Sequence, residues 1–310
     1  MLWTVFACCC TADTSWASSS VCWTQPHSHS TRFCIPHLLE RSTRVPKIMH
    51  GEVWRMFGEP MLRFYLAGEV AVERGEQLLR EADLPGRQGR LALVYLAVER
   101  ERAVPQSELA ELLWQESLPA SWPVALSAVV SKLRQKLGSL GLDRDRIIPN
   151  AFRCYQLRPP PDTWIDLEAA AEAVHQAEGA LIANQPQAAY GPALIAATIA
   201  RRPFLVGEDS PWIAACRQRQ RDLLVRALDC RVEALLANGE VALALDQARA
   251  AVELEPYRES GYRRLMQVLV KQGDRGEAIR VYNECRRLLA DELGVTPSSE
   301  TESLRRSLAG

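Results

Sequence analysis

Several things are missing from this chain, and each absence removes a class of protein. There is no run of about 18 apolar residues, so no membrane-spanning helix is expected. There is no excess of either charge: 37 Lys and Arg stand against 38 Asp and Glu, a formal net charge of −1. A protein that coats a polyanion over its whole surface is thereby excluded, and any such contact has to be local. Histidine is scarce, with five in all, four of them before residue 61, which leaves His175 without a Ser or Cys partner in any recognisable motif. No GxxxxGK[ST] phosphate loop occurs, and the carboxylates of the C-terminal half, such as Asp274 beside Arg275, form no acid and base pair. No enzyme is expected, and no cofactor. The nine cysteines lack metal-ligand spacing: positions 8, 9, 10, 22 and 34 crowd the start, while 154, 216, 230 and 285 are scattered singly. Cys8, Cys9 and Cys10 with His27 and His29 match no structural zinc pattern. Isolated thiols suit a reducing compartment, so a cytoplasmic protein is expected.

What is present divides in three. Residues 1–60 hold five of the nine cysteines and four of the eight tryptophans with no sustained period. They are expected to be a disordered or mis-annotated extension, with the translated start at Met49, Met56 or Met61. Residues 61–158 begin with strand patterning, Val70 and Val72 alternating against Glu69, Ala71 and Glu73 between Gly68 and Gly75, which predicts a small antiparallel sheet. Two short helices follow, GRLALVYLAV (89–98) and ELAELLW (108–114). Arg158-Pro159-Pro160-Pro161-Asp162 is expected to be a stiff linker separating the halves. Residues 159–310 then carry helix after helix. Trp114, Trp122 and Trp164 are expected to pack in cores or between domains, and Tyr262 and Tyr282 in repeat cores.

The charge is concentrated in one place. In PVALSAVVSKLRQKL (123–137), Leu126, Val130, Leu133 and Leu137 recur at helical spacing, so one stripe is buried. Ser127, Ser131, Lys132, Arg134, Gln135 and Lys136 occupy the other faces, with no acid among them. Between Ser121 and Arg158 there are seven Lys or Arg against two Asp, a local balance of +5. A patch of that sign suits a polyanion. Beyond the helix, Arg146-Ile147-Ile148 and Phe152 to Leu157 are two β-rich runs around Pro149-Asn150-Ala151, predicting a hairpin wing over 147–157. Sheet, helix, helix, basic helix and hairpin is the order of a winged helix-turn-helix, whose third helix enters the DNA major groove.

The C-terminal half repeats. Gly239 to Gly273 and Ala244 to Ala278 are both separated by 34 residues, the tetratricopeptide period. Three helical pairs closed by a helix from about Ser298 to Leu308 are expected. The fold class is therefore mainly α with a small β component: a winged helix-turn-helix domain, then an α-helical tetratricopeptide-like repeat domain.

LPASWPVALSAVVSKLRQKL (118–137), the wing ending CYQL (154–157), TWIDLEAA (163–170) and the run from Glu255 to Thr301 resemble the SARP/AfsR-type bacterial transcriptional activators. Those proteins join an OmpR-type winged helix to a bacterial transcriptional activator domain. The resemblance implies an activator that binds promoter DNA, often at direct repeats, and contacts RNA polymerase; a monomer that pairs as a homodimer on tandem sites is expected beside it. By position it puts Ser127, Ala128, Ser131 and Lys132 toward the groove, Arg134 and Gln135 nearer phosphates, and Arg153 on the wing. Ala128 and Val129 depart from the polar side chains common there, which thins direct base readout. The second reading of the same residues is a repeat-type interaction adaptor whose winged helix no longer binds DNA specifically.

Overall fold

The structure, a computed structural model, describes residues 62–309, which lie in one compact unit. The expectations for residues 1–60, for the start at Met49, Met56 or Met61, and for the Cys8 to Cys10 cluster fall outside the described residues.

Alternation in the first strands does what it predicts. β1 (Arg63–Tyr65), β2 (Ala71–Arg74) and β3 (Gln77–Leu79) form an antiparallel meander in which Phe64 faces Val72 and Val72 faces Leu79, all three buried. Gly68 and Gly75 make the turns with positive φ, a conformation that costs glycine little. Next come α1 (Gly86–Val98), β4 (Val104–Pro105), α2 (Gln106–Trp114) and α3 (Trp122–Ser139). On α3 the predicted stripe of Leu126, Val130, Leu133 and Leu137 is fully buried, each side chain contributing roughly 2 kcal/mol of apolar burial. Trp114 and Trp122 pack at the edge of this core, as expected.

The segment after α3 differs from its expectation. Arg146-Ile147-Ile148 is not a strand: Arg144–Ile147 form a short helix, α4, because the Asp143 carboxylate accepts from the backbone N–H groups of Asp145 and Arg146. An aspartate N-cap here outweighs the β preference of two isoleucines. The wing is consequently shorter, with β5 (Asn150–Ala151) paired to β6 (Cys154–Tyr155), and β6 paired in turn to β4.

The polyproline run does not hold two separate bodies apart. Just beyond it, β7 (Trp164–Ile165) returns to the first sheet and pairs parallel to β1, giving the order β3-β2-β1-β7. Trp164 stacks edge-on against Tyr65 with ring centres 5.4 Å apart. At the next position Asp166, 0% exposed, accepts from the backbone N–H groups of Leu66, Ala67 and Leu167 at 2.8–3.0 Å. The first residues of the C-terminal half thus complete the N-terminal sheet.

The repeat half is built as its period predicts. Helices pair as α5 (Asp166–Ile182) with α6 (Pro186–Ala200), α7 (Pro211–Ala237) with α8 (Val241–Leu254), and α9 (Glu259–Gln272) with α10 (Arg275–Leu288), and α11 (Ser299–Ala309) closes the stack. Gly239 and Gly273 both turn the chain in the left-handed conformation between paired helices, which is why glycine recurs there. Ala244, Ala278, Tyr262, Tyr282 and Cys285 fill the core.

One loop breaks the regularity. Residues 201–210, between α6 and α7, reach back so that Phe204 and Leu205 are buried in the core of the winged half, and Gly68 N–H donates to the Pro203 carbonyl at 2.8 Å. Glu208, also buried, accepts from Arg87 and Arg90 of α1 at 2.6–3.0 Å. Trp212 lies against the Tyr95 ring at 4.6 Å and donates its indole N–H to Glu99 at 3.0 Å. Paired charges on this loop and aromatic contacts at the start of α7 join the two halves. No helix among the described residues is long and apolar enough to cross a membrane.

Candidate nucleic-acid interface

Burying one stripe of α3 necessarily turns the opposite face outward. Ser127, Ala128, Ser131, Lys132 and Gln135 are all exposed, as the periodicity predicts for positions off the buried stripe. Val124, one turn earlier, is 72% exposed although it is a large apolar residue. Val129 is half-buried and packs against the core, so of the two apolar departures only Ala128 stands on the open face.

Positive charge surrounds this face. Lys132, Lys136, Arg144 and Arg153 are exposed and make no ion pair among the described residues, while Arg146 is drawn to Asp143 at 3.5 Å. Unpaired cations on one face keep their full attraction for an anion, whereas Arg146 is partly compensated.

Arg134 is the exception among the expected contacts. Placed nearer phosphates by resemblance, its half-buried guanidinium instead donates from Nε and one terminal nitrogen to the Ile148 carbonyl, at 3.0 and 2.5 Å. It also lies over the Tyr155 ring, 5.9 Å from the ring centre. Burial pushes the Tyr155 hydroxyl up from its usual pKa, with nearby Arg134 and Ser127 pulling the other way. The helix is thereby bolted to the wing through a backbone carbonyl, a planar guanidinium and an aromatic ring. Periodicity cannot reveal this, because Arg134 occupies a polar position and its partner is a main-chain oxygen.

The wing has its own bracing. Gln106 at the start of α2 donates its backbone N–H to the Arg153 carbonyl at 2.9 Å and its side-chain amide to Asn150 at 3.1 Å. The hairpin turns through Phe152 and Arg153, both with positive φ, at 51° and 59°. A two-residue turn with two positive φ angles normally carries Asn-Gly, so sequence signals place the turn too early, at Pro149-Asn150-Ala151. Phe152 is missed for the same reason. It is 100% exposed, an aromatic ring at the wing tip held in a conformation that costs a bulky residue about 1–2 kcal/mol. Phe152→Asn is therefore expected to stabilise the chain by about 1 kcal/mol, seen as a higher urea midpoint at unchanged slope. A lower midpoint would mean that the ring supports the fold.

Comparison with known proteins agrees with this architecture. The model of the Bacterial transcriptional activator domain matches residues 165–309. Regulatory protein AfsR of Streptomyces coelicolor is 28% identical over 247 residues, covering 80% of this chain and 24% of its own length. Transcriptional regulatory protein EmbR of Mycobacterium tuberculosis is 25% identical over 221 residues, covering 71% of this chain and 56% of its own. Transcriptional regulator RedD of Streptomyces coelicolor is 28% identical over 222 residues, covering 68% of this chain and 60% of its own. The solved structure of Mycobacterium tuberculosis EmbR in complex with a low affinity phosphopeptide shares the fold, with a TM-score of 0.72 at 24% identity over 80% of this chain and 65% of that one. The chain thus spans 24% of the length of AfsR and 56% of that of EmbR. All three relatives are named as regulators, none as an enzyme.

Proposed function

Since the chain belongs to the SARP/AfsR-type family of bacterial transcriptional activators, we propose that it binds promoter DNA by laying α3 in the major groove with the β5–β6 wing on the adjoining backbone. The repeat half is then the surface for RNA polymerase or other proteins, and pairs of chains assemble on direct repeats of the site. The observation that carries this reading is the open face of α3 together with the wing: Lys132 and Lys136 on the helix and Arg153 on the wing stand exposed without ion-pair partners among the described residues. A major groove about 12 Å wide admits one helix of this kind, and cations on its flanks meet the phosphates on either side.

Salt dependence tests it. Three phosphate contacts release about three condensed counterions, so log affinity should fall with log salt at a slope of about −2.7. Lys132→Ala is expected to weaken binding by roughly 1–3 kcal/mol if the ammonium meets a base edge, or to lower the slope magnitude by about 1 if it meets a phosphate. Fluorescence anisotropy on a duplex recovered from a randomised pool, titrated at several salt concentrations, separates the two. A flat salt response with the intact chain would instead favour the interaction adaptor.

A further inference from the structure

The outermost line of α3, directly opposite its buried stripe, consists of Val124, Ala128, Ser131 and Gln135 at i, i+4, i+7 and i+11. All four are exposed. No arginine lies on that line, and the one arginine of the helix, Arg134, is occupied by the Ile148 carbonyl. Arginine and lysine are the side chains that read guanine, and Lys132 lies to one side of this line, so the line itself carries no guanine reader. The first two positions are instead apolar. Valine has a low helix propensity and a solvent-exposed methyl pair, so neither folding nor solubility accounts for Val124 at 72% exposure.

Resting on the proposed DNA-binding reading, we propose that Val124 and Ala128 read the 5-methyl groups of thymines, and that the cognate site has A·T pairs beneath the N-terminal half of α3. The thymine methyl is the apolar group that B-DNA presents in its major groove, and short apolar side chains are the ones that contact it. Farther along the line, Ser131 accepts or donates to either pair, and Gln135 has the two-pronged amide that matches adenine. A protein partner is the weaker occupant for this line: two small side chains N-terminal to the exposed cations Lys132 and Lys136 offer none of the buried aromatic or arginine anchors on which protein interfaces depend. Charge complementarity favours a nucleic acid.

Uracil distinguishes the cases, because replacing thymine by deoxyuridine removes only the methyl and leaves every hydrogen-bonding edge intact. The full chain is first used to select sites from a randomised duplex pool, and the recovered duplex is then resynthesised with deoxyuridine at one thymine at a time. At one or two positions the substitution is expected to weaken binding about fourfold, the effect of one buried methyl. Val124→Ser or Ala128→Ser, at exposed positions, should abolish that sensitivity at its own position while leaving the salt slope unchanged. Equal affinity for thymine and uracil duplexes at every position, with a steep salt slope, overturns the methyl readout but leaves DNA binding standing. Absence of salt-dependent binding to any duplex overturns both.

Discussion

Replacing Asp166 by alanine is expected to destabilise the described unit by on the order of 3 kcal/mol, with the two halves losing structure together in chemical denaturation. The carboxylate is fully buried and takes the N–H groups of Leu66, Ala67 and Leu167 at 2.8–3.0 Å. Leu66 and Ala67 close the first strand of the winged half, and Leu167 opens the first helix of the repeats. Alanine leaves three donors without an acceptor, at about 1–3 kcal/mol apiece before relaxation, partly offset by no longer burying a charge. Asparagine does not rescue, since its amide nitrogen turns donors toward donors. An independent loss of one half, with the other intact, would show that the carboxylate is not the joint.

The same residue sets a pH dependence of known sign. Burial pushes the Asp166 carboxyl up to about 6, against the pull of the Ala67, Leu66 and Leu167 N–H groups and Arg202. A raised carboxyl means that the folded state holds the proton more tightly than the unfolded chain does. Its contribution is fully present below the ordinary aspartate value and is lost as pH rises through about 6. Between pH 5 and pH 7.5 the wild-type chain is expected to lose about 1 kcal/mol more than Asp166→Ala. Asp229, also raised chiefly by burial, works in the same direction. Glu108 and Glu178 are lowered by their arginine partners, so their contributions are lost only as pH falls further, outside this window. Urea titrations of both proteins at the two pH values read the difference directly.

Arg134→Ala is expected to weaken DNA binding about tenfold while leaving the salt slope unchanged, together with a stability cost of about 2 kcal/mol. The guanidinium holds Ile148, and through it the short segment that leads from α4 into the wing, so its loss frees the wing relative to α3. A charge-assisted bond to a carbonyl accounts for about 1.5–3 kcal/mol. Arg134→Lys should recover little, because an ammonium cannot reproduce two parallel N–H groups lying over a ring. The contrast with Lys132→Ala is the test. A slope that falls by about one with stability unaltered would return Arg134 to the phosphate contacts.

The sequence by itself determined everything that depends on local periodicity. Leucines four and three apart on 123–137 have one way to be buried, and the outward positions of Ser127, Ala128, Ser131, Lys132 and Gln135 follow from that geometry. A 34-residue repeat of glycine and alanine is likewise sufficient for stacked helix pairs. Only the tertiary structure decided the rest, because those features rest on contacts between residues far apart in the chain or on main-chain partners that have no residue code. Asp166 meets Leu66 across 100 positions, so the proline-rich run that looks like a spacer leads instead into a shared sheet. Glu208 finds Arg87 and Arg90 from a loop with no pattern of its own. Arg134 binds a carbonyl, and Phe152 takes a left-handed turn usually reserved for asparagine or glycine. Side-chain periodicity determines which face of a helix is open, and long-range hydrogen bonds determine which of the charges on that face remain unpaired.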